Sequence, residues 1–256
     1  MEIVIEDSAD ALADRAASIV LEELARKPDL VLGLATGKTP VGLYERLRKK
    51  PDAFAKARFF NLDEFYGVAP SDPASFHWFF RHHLLDHVKH DEKNVHLFRG
   101  DVQDLEAQAR ETEAKLRSVG GIDLQILGIG KNGHVGFNEP GSSLGSRTRP
   151  KTLEPETLAH YAASLEPGAS LSNFAITMGV ATIMEARRLL LLAAGSEKAD
   201  IVQRMVEGPI TSEVPASALQ MHPHATAVLD EAAASKLKRR DYYKWVFANK
   251  WRVGQK

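Results

Sequence analysis

Leu30-Val31-Leu32-Gly33-Leu34-Ala35-Thr36-Gly37-Lys38-Thr39-Pro40-Val41-Gly42 reads as a buried strand, a glycine turn and the start of a helix. A continuous apolar run at residues 30–34 suits a strand shielded on both faces. Thr39 and Pro40 read as an N-cap and first-turn pair for a helix running through Lys49.

Working outward, the same alternation repeats. Residues 3–5, 59–62, 122–127, 174–177, 189–193 and 227–229 read as strands. Residues 9–27, 76–88 and 104–119 read as helices, and helical stretches follow the last three strands. This pattern predicts an α/β fold, a mainly parallel, doubly wound (Rossmann-like) sheet with helices on both faces. Ligands in such sheets bind beyond the carboxyl ends of the strands. The loops after Leu34, Leu62, Leu127 and Ala193 are therefore the places to look. No linker, repeat or low-complexity segment interrupts the pattern, so residues 1–256 are expected to form one domain.

Composition narrows the classes of function. The 256 residues carry a formal net charge of −1, which gives no global field for nucleic acid or an acidic membrane. With no cysteine there is no disulfide, thiolate metal site or thiol nucleophile, and a reducing compartment fits. The N-terminus is acidic where a secretory signal is basic, and the longest apolar run, Leu189 to Ala194, is too short to span a bilayer. A cytoplasmic location is the expectation.

Two glycine loops invite other readings. Gly33 to Lys38 resembles a nucleotide phosphate loop but has three residues between its glycines where four are needed. Its position between strand and helix still favours an anion. Gly128-Ile129-Gly130-Lys131-Asn132-Gly133 matches a dinucleotide fingerprint, but the glycines and proline of Val135 to Gly141 cannot open a regular helix. Residues 146–151 also look too polar for the strand that should follow. No nucleotide cofactor is expected.

Polar groups with no evident structural task collect at these strand ends. They are Asp63 with Glu64, then Asn132, His134 and Glu139 in one loop, and Lys198 at the start of a helix. Two carboxylates and an imidazole at one sheet edge form a proton-transfer set. Singly, each reads as a cap, a satisfied loop histidine or a solvated acid. Together they point to catalysis.

At these residues the chain resembles the glucosamine-6-phosphate deaminase family. The matching stretches are Leu34 to Pro40, Phe60-Asn61-Leu62-Asp63-Glu64-Phe65, Gly128 to Pro140, Ser142-Ser143-Leu144 with Ser146-Arg147-Thr148-Arg149, Gly195-Ser196-Glu197-Lys198 and Ser217 to His222. The most specific is Gly133-His134-Val135-Gly136-Phe137-Asn138-Glu139-Pro140. The resemblance implies that glucosamine-6-phosphate and water give fructose-6-phosphate and ammonia, without metal or cofactor. It implies that Asp63 moves a proton between C2 and C1, and that His134, assisted by Glu139, opens the sugar ring. Gly37, Lys38, Thr39 and Lys198 would hold the phosphate. Ser142, Ser143, Arg149 and Lys151 match an anion site that binds an activator in hexameric members, so a homo-oligomer is conceivable from the resemblance.

The chain departs from the pattern at three places. Asn132 stands where many members carry Asp, and an amide orients a ring less strongly than a carboxylate, so Glu139 is expected to do more of that work. Residues 160–164 lack the Arg that members commonly bring to the phosphate, and Lys38 replaces a small residue. Lys38 is thus expected to supply that charge from a rigid turn. Competing functions are a sugar-phosphate lactonase or isomerase on the same fold, and a non-catalytic sugar-phosphate sensor. No helix-turn-helix segment accompanies the domain, which argues against the sensor.

Two further features read as structural. His83 and His87 have metal-ligand spacing, but no glutamate lies between them, and a partly packed helix is expected. Residues 236–256 carry eight Lys/Arg and one Asp. Tyr243, Val246, Phe247 and Trp251 share one helical face there, so a docked helix with a solvated basic side is expected.

Overall fold

The computed structural model describes residues 1–162 and 171–250. In chain order the elements begin with β1 (Glu2–Glu6), α1 (Ala9–Arg26), β2 (Val31–Leu34), α2 (Lys38–Leu47), β3 (Arg58–Asn61) and β4 (Asp63–Phe65). There follow α3 (Phe76–His83), β5 (Val95–His96), α4 (Leu105–Ser118), β6 (Leu124–Leu127), β7 (Arg149–Thr152) and α5 (Pro155–Ala162). The remainder is β8 (Phe174–Thr177), α6 (Val180–Met184), β9 (Arg188–Ala193), α7 (Ala199–Glu207), β10 (Ala225–Asp230) and α8 (Arg240–Ala248).

Seven strands form a sheet in the order β1-β10-β9-β6-β2-β3-β5, with every pairing parallel. Every residue of β2, β6 and β10 is buried, so both faces of the sheet are covered by helices and loops. From β2 the chain steps outward through β3 to β5, while β6, β9 and β10 lie on its other side. The order therefore reverses between β2 and β6. The crevice beyond that point is where an open α/β sheet takes its ligand.

Several boundaries differ from the sequence reading. Helix α2 starts earlier than expected: Gly37, at φ 111°, is the N-cap, and no side chain caps the first turn. Thr39 and Pro40 lie inside the helix. The expected helix over 76–88 stops at His83, and Leu84 and Leu85 just beyond it are both buried. Leu84 takes φ −141° and ψ −61°, outside the helical region, and a single 3-10 turn follows.

Residues 149–152 are a strand despite their polarity. β4, β8 and β7 form a separate three-stranded antiparallel sheet, so residues 174–177 pair there and not in the main sheet. An edge strand tolerates charge and a proline such as Pro150 because its outer backbone groups need no partner. This strand does not rescue the dinucleotide reading. The loop after β6 leads into a tight turn, with Val135 and Asn138 bridged, and no helix opens.

At the C-terminus Tyr243 and Phe247 pack against the core, while Val246 is exposed. Trp251 lies outside the described residues. His82 stacks on Trp78, His83 contacts Phe79, and His87 Nε2 meets the His82 carbonyl at 2.9 Å. Among the described residues, no group of three or more His, Asp or Glu side chains could hold a metal ion. No helix among them is long and apolar enough to cross a membrane.

Candidate active site

All four loops singled out from the sequence line one cavity of ≈ 680 Å3. Residues 35–40 follow β2, Leu62 and Asp63 follow β3, residues 128–136 follow β6, and residues 194–198 follow β9. Glu156, Thr157, Ala159 and Tyr161 of α5 close the remaining side.

Asp63 and Glu64 are neighbours with opposite tasks, as strand alternation requires. Glu64 is fully buried and accepts from Ser75 Oγ at 2.7 Å and from the N–H groups of Phe65, Phe76 and His77 at 2.9, 3.0 and 2.9 Å. It anchors the start of α3. Asp63 faces the cavity and is only 5% exposed. Burial, and then the Glu64 charge beside it, push its carboxyl well above the usual range. Asn61 fixes the turn by donating to the Asp63 carbonyl at 2.8 Å and accepting from Phe98 N–H at 2.8 Å.

Two glycines of the loop after β6 are required by close approach. A Cβ on Gly130 would lie 2.2 Å from His134 Cε1, so the ring rests against bare backbone. Gly136 has φ +56°, and a Cβ there would meet Thr177 Oγ1 at 2.9 Å and Asp63 Oδ2 at 3.4 Å. Asn138 locks this turn to β8, donating to Val135 O and Met178 O at 2.9 and 2.7 Å.

His134 Nδ1 lies 3.4 Å from Glu139 Oε2, ion-pair range but long for a hydrogen bond. Glu139 is buried; burial raises its carboxyl, but His134, Thr157 and Asn132 outweigh this and hold it at about 2. Asn132 acts differently from the sequence reading. Its amide donates to Glu139 Oε2 at 2.7 Å, and its oxygen accepts from the His134 backbone at 3.2 Å, so it holds the carboxylate and the loop instead of the imidazole.

The cavity also has basic groups in its lining. Lys38, Lys131 and Lys198 line it, with Gly37 and Thr39 at the uncapped start of α2. Lys198 donates to Ile129 O at 2.7 Å, and burial lowers its pKa. Asp230 accepts from Gly195 N–H at 3.0 Å, which fixes the turn leading to Lys198.

Ser142, Ser143, Arg149 and Lys151 do not line this cavity. Ser143 Oγ caps its own turn through Gly145 N–H at 3.1 Å, and Arg149 donates to Asn138 Oδ1 at 3.0 Å. Ala163 and Ser164, part of the segment expected to lack a phosphate Arg, lie outside the described residues. Tyr161 and Glu154 escaped the sequence reading. Tyr161 sits among Phe65, Phe76 and Phe137, with its hydroxyl bonded to Thr36; burial, and then Asp63, raise its pKa. Glu154-Pro155 carried a signal, since proline opens helices.

A switch-point cavity with a buried carboxylate, an imidazole–carboxylate pair and lysines in its lining defines an enzyme that moves protons on a small anionic substrate. Residues 5–229 match the model of the glucosamine-6-phosphate isomerase/6-phosphogluconolactonase family, and the chain belongs to that family. It is 48% identical to glucosamine-6-phosphate deaminase of Hahella chejuensis, over 99% of this chain and 98% of the relative. It is 45% identical to glucosamine-6-phosphate deaminase 2 of Bacillus subtilis, over 94% of this chain and 100% of the relative. Among solved structures, a monomeric glucosamine-6-phosphate deaminase superposes with a TM-score of 0.89 at 38% identity, covering 92% of this chain and 100% of that one. A 6-phosphogluconolactonase of Leishmania guyanensis, at 22% identity and TM-score 0.72, over 91% of this chain and 97% of that one, shares the fold.

Because Gly136 makes room for Asp63 and Thr177, Gly136→Ala should misplace the carboxyl. A displacement near 1 Å can cost about 100-fold, so kcat should fall by about tenfold to 100-fold in steady-state assays of the folded variant. An unchanged kcat would show that the close approach is immaterial.

Proposed function

We propose that this chain converts glucosamine-6-phosphate and water to fructose-6-phosphate and ammonia, with the catalytic groups named above. The observation that carries the mechanism is Asp63: a buried carboxyl with a raised pKa, at the wall of a cavity also lined by lysines and by His134, with Glu139 behind it. His134, with Glu139 behind it, moves the anomeric hydroxyl proton to the ring oxygen, and the ring opens. Asp63 then takes the C2 proton and returns it to C1. Between these two transfers the C1 oxygen takes a proton from the substrate's own ammonium group, giving an enolamine, and protonation at C1 leaves an iminium at C2. Water adds at C2, the C–N bond breaks and ammonia leaves. A base of raised pKa suits this step because Brønsted behaviour favours a pKa near the working pH.

The phosphate is held by Lys38, Lys198 and the first-turn N–H groups of α2, where Gly37 leaves the helix end without a side-chain cap. We read residues 1–256 as one domain, since the cavity draws on loops from β2 through β9 and on α5, and the cysteine-free chain suits the cytoplasm. The mechanism requires no second copy of the chain.

Asp63→Asn tests the base. Turnover, followed as ammonia release, should fall by about 10²–10⁴-fold, with KM little changed. The same substitution should change stability with a definite sign. A carboxyl whose folded pKa is raised stabilises the folded state fully below its unfolded pKa of about 4, and that contribution is lost as pH rises through the folded value. The variant should therefore gain on the parent protein in thermal unfolding as pH rises above about 4. Retained turnover would remove Asp63 from the mechanism.

Lys38→Gly tests the phosphate grip. Hydrogen bonds to charged groups are worth about 1.5–3 kcal/mol, so KM should rise roughly ten- to hundredfold with kcat less affected. An unchanged KM would mean that Lys38 does not touch the substrate.

A further inference from the structure

Asn132 carries one amide between two carboxylates. Its Nδ2 donates to Glu139 Oε2 at 2.7 Å and to Glu154 Oε2 at 3.3 Å, while its Oδ1 accepts from His134 N–H at 3.2 Å. Only an amide can do this, since a carboxylate has no N–H to offer. Turning the group over would aim its oxygen at both acids and its nitrogen at an N–H. The orientation is therefore over-determined, and Glu139 Oε2, the atom facing His134 Nδ1, is the atom the amide holds.

Glu154 has a second attachment. It immediately precedes α5, its carbonyl accepts from Leu158 N–H at 3.0 Å, and the helix it starts contributes Thr157 and Tyr161 to the cavity. Its side chain thus fastens the start of a cavity wall to the catalytic loop, at a point one amide away from Glu139.

We propose that Glu154 is a positioning residue for the Glu139–His134 pair, acting through the Asn132 amide. The side chain at position 132 and the charge at position 154 are then matched. An aspartate at 132 is incompatible with Glu154, because three carboxylates would converge with no donor between them, and Glu139 would be driven off His134. Such repulsion between close like charges is strong in a partly buried site. An amide at 154 relieves it by returning a donor and reducing the carboxylates to two.

The proposal rests on the deaminase reading, and its test is a double-mutant cycle in the ammonia-release assay on glucosamine-6-phosphate. Asn132→Asp should lower kcat by about tenfold or more, a normal coupling for touching charged groups. KM should stay within about twofold, since the phosphate grip lies on other loops. Adding Glu154→Gln should recover most of the loss. Glu154→Gln alone should exceed Glu154→Ala in kcat, because the amide oxygen still accepts from Asn132. This second comparison serves if Asn132→Asp does not fold.

Wild-type kcat in Asn132→Asp, or losses that simply multiply in the double variant, would overturn the proposal. So would equal kcat in Glu154→Gln and Glu154→Ala, or a rise in KM that tracks a lower melting temperature. The unsubstituted protein separates the two claims. No ammonia from it defeats the deaminase reading, whereas ammonia without rescue defeats the positioning role alone.

Discussion

Asp63 is a carboxyl held in a dry place next to another carboxyl, and much of the site can be understood as what this requires. Desolvation and the Glu64 charge both disfavour its ionised form. The fold tolerates that cost because Glu64 is satisfied by four donors from its own strand and the start of α3. With its neighbour committed to the core, Asp63 is left facing the cavity. Gly136 and Thr177 approach it closely from the loop after β6 and from β8, so its position is set by packing. A raised proton affinity is what a base needs if it must both remove a proton from carbon and return it.

The other half of the chemistry is held by a different device. Glu139 is as buried as Asp63, yet it stays low, because His134, Thr157 and Asn132 support its charge. Two buried carboxylates at one cavity are thus driven apart in proton affinity by their partners. Such separation suits the proposed mechanism, in which one group exchanges protons with the substrate and the other keeps an imidazole in place. Lys38, Lys131 and Lys198 line the same cavity from the loops after β2, β6 and β9.

Much of this arrangement was legible in the sequence because it depends on local pattern. The run from Leu30 to Leu34 and the glycine turn after it gave a parallel strand and the location of its ligand loop, and the same logic placed Asp63, His134, Glu139 and Lys198 at one edge. The sequence did not show what depends on tertiary pairing. Residues 149–152 look like a loop because an edge strand is stabilised by its partner's backbone and not by its own apolar pattern. Leu84 leaves helical angles where periodicity would continue the helix, and nothing in the local pattern marks that point. Asn132 was read as a weaker orienter of His134, but its amide faces the acids; which neighbour a side chain meets within a turn is not a matter of spacing. Tyr161 and Glu154 were missed because their significance lies in contacts across the chain.

The central claim is that burial beside Glu64 makes Asp63 a base of unusual proton affinity. The direct measurement is titration of its carboxyl carbon by 13C NMR, assigned by the signal lost in Asp63→Asn, alongside the pH dependence of kcat/KM. The account predicts a midpoint well above the ordinary aspartate value of about 4, coinciding with the acid limb of the rate profile. A midpoint at or below the ordinary value, in a protein that still turns over, would contradict it.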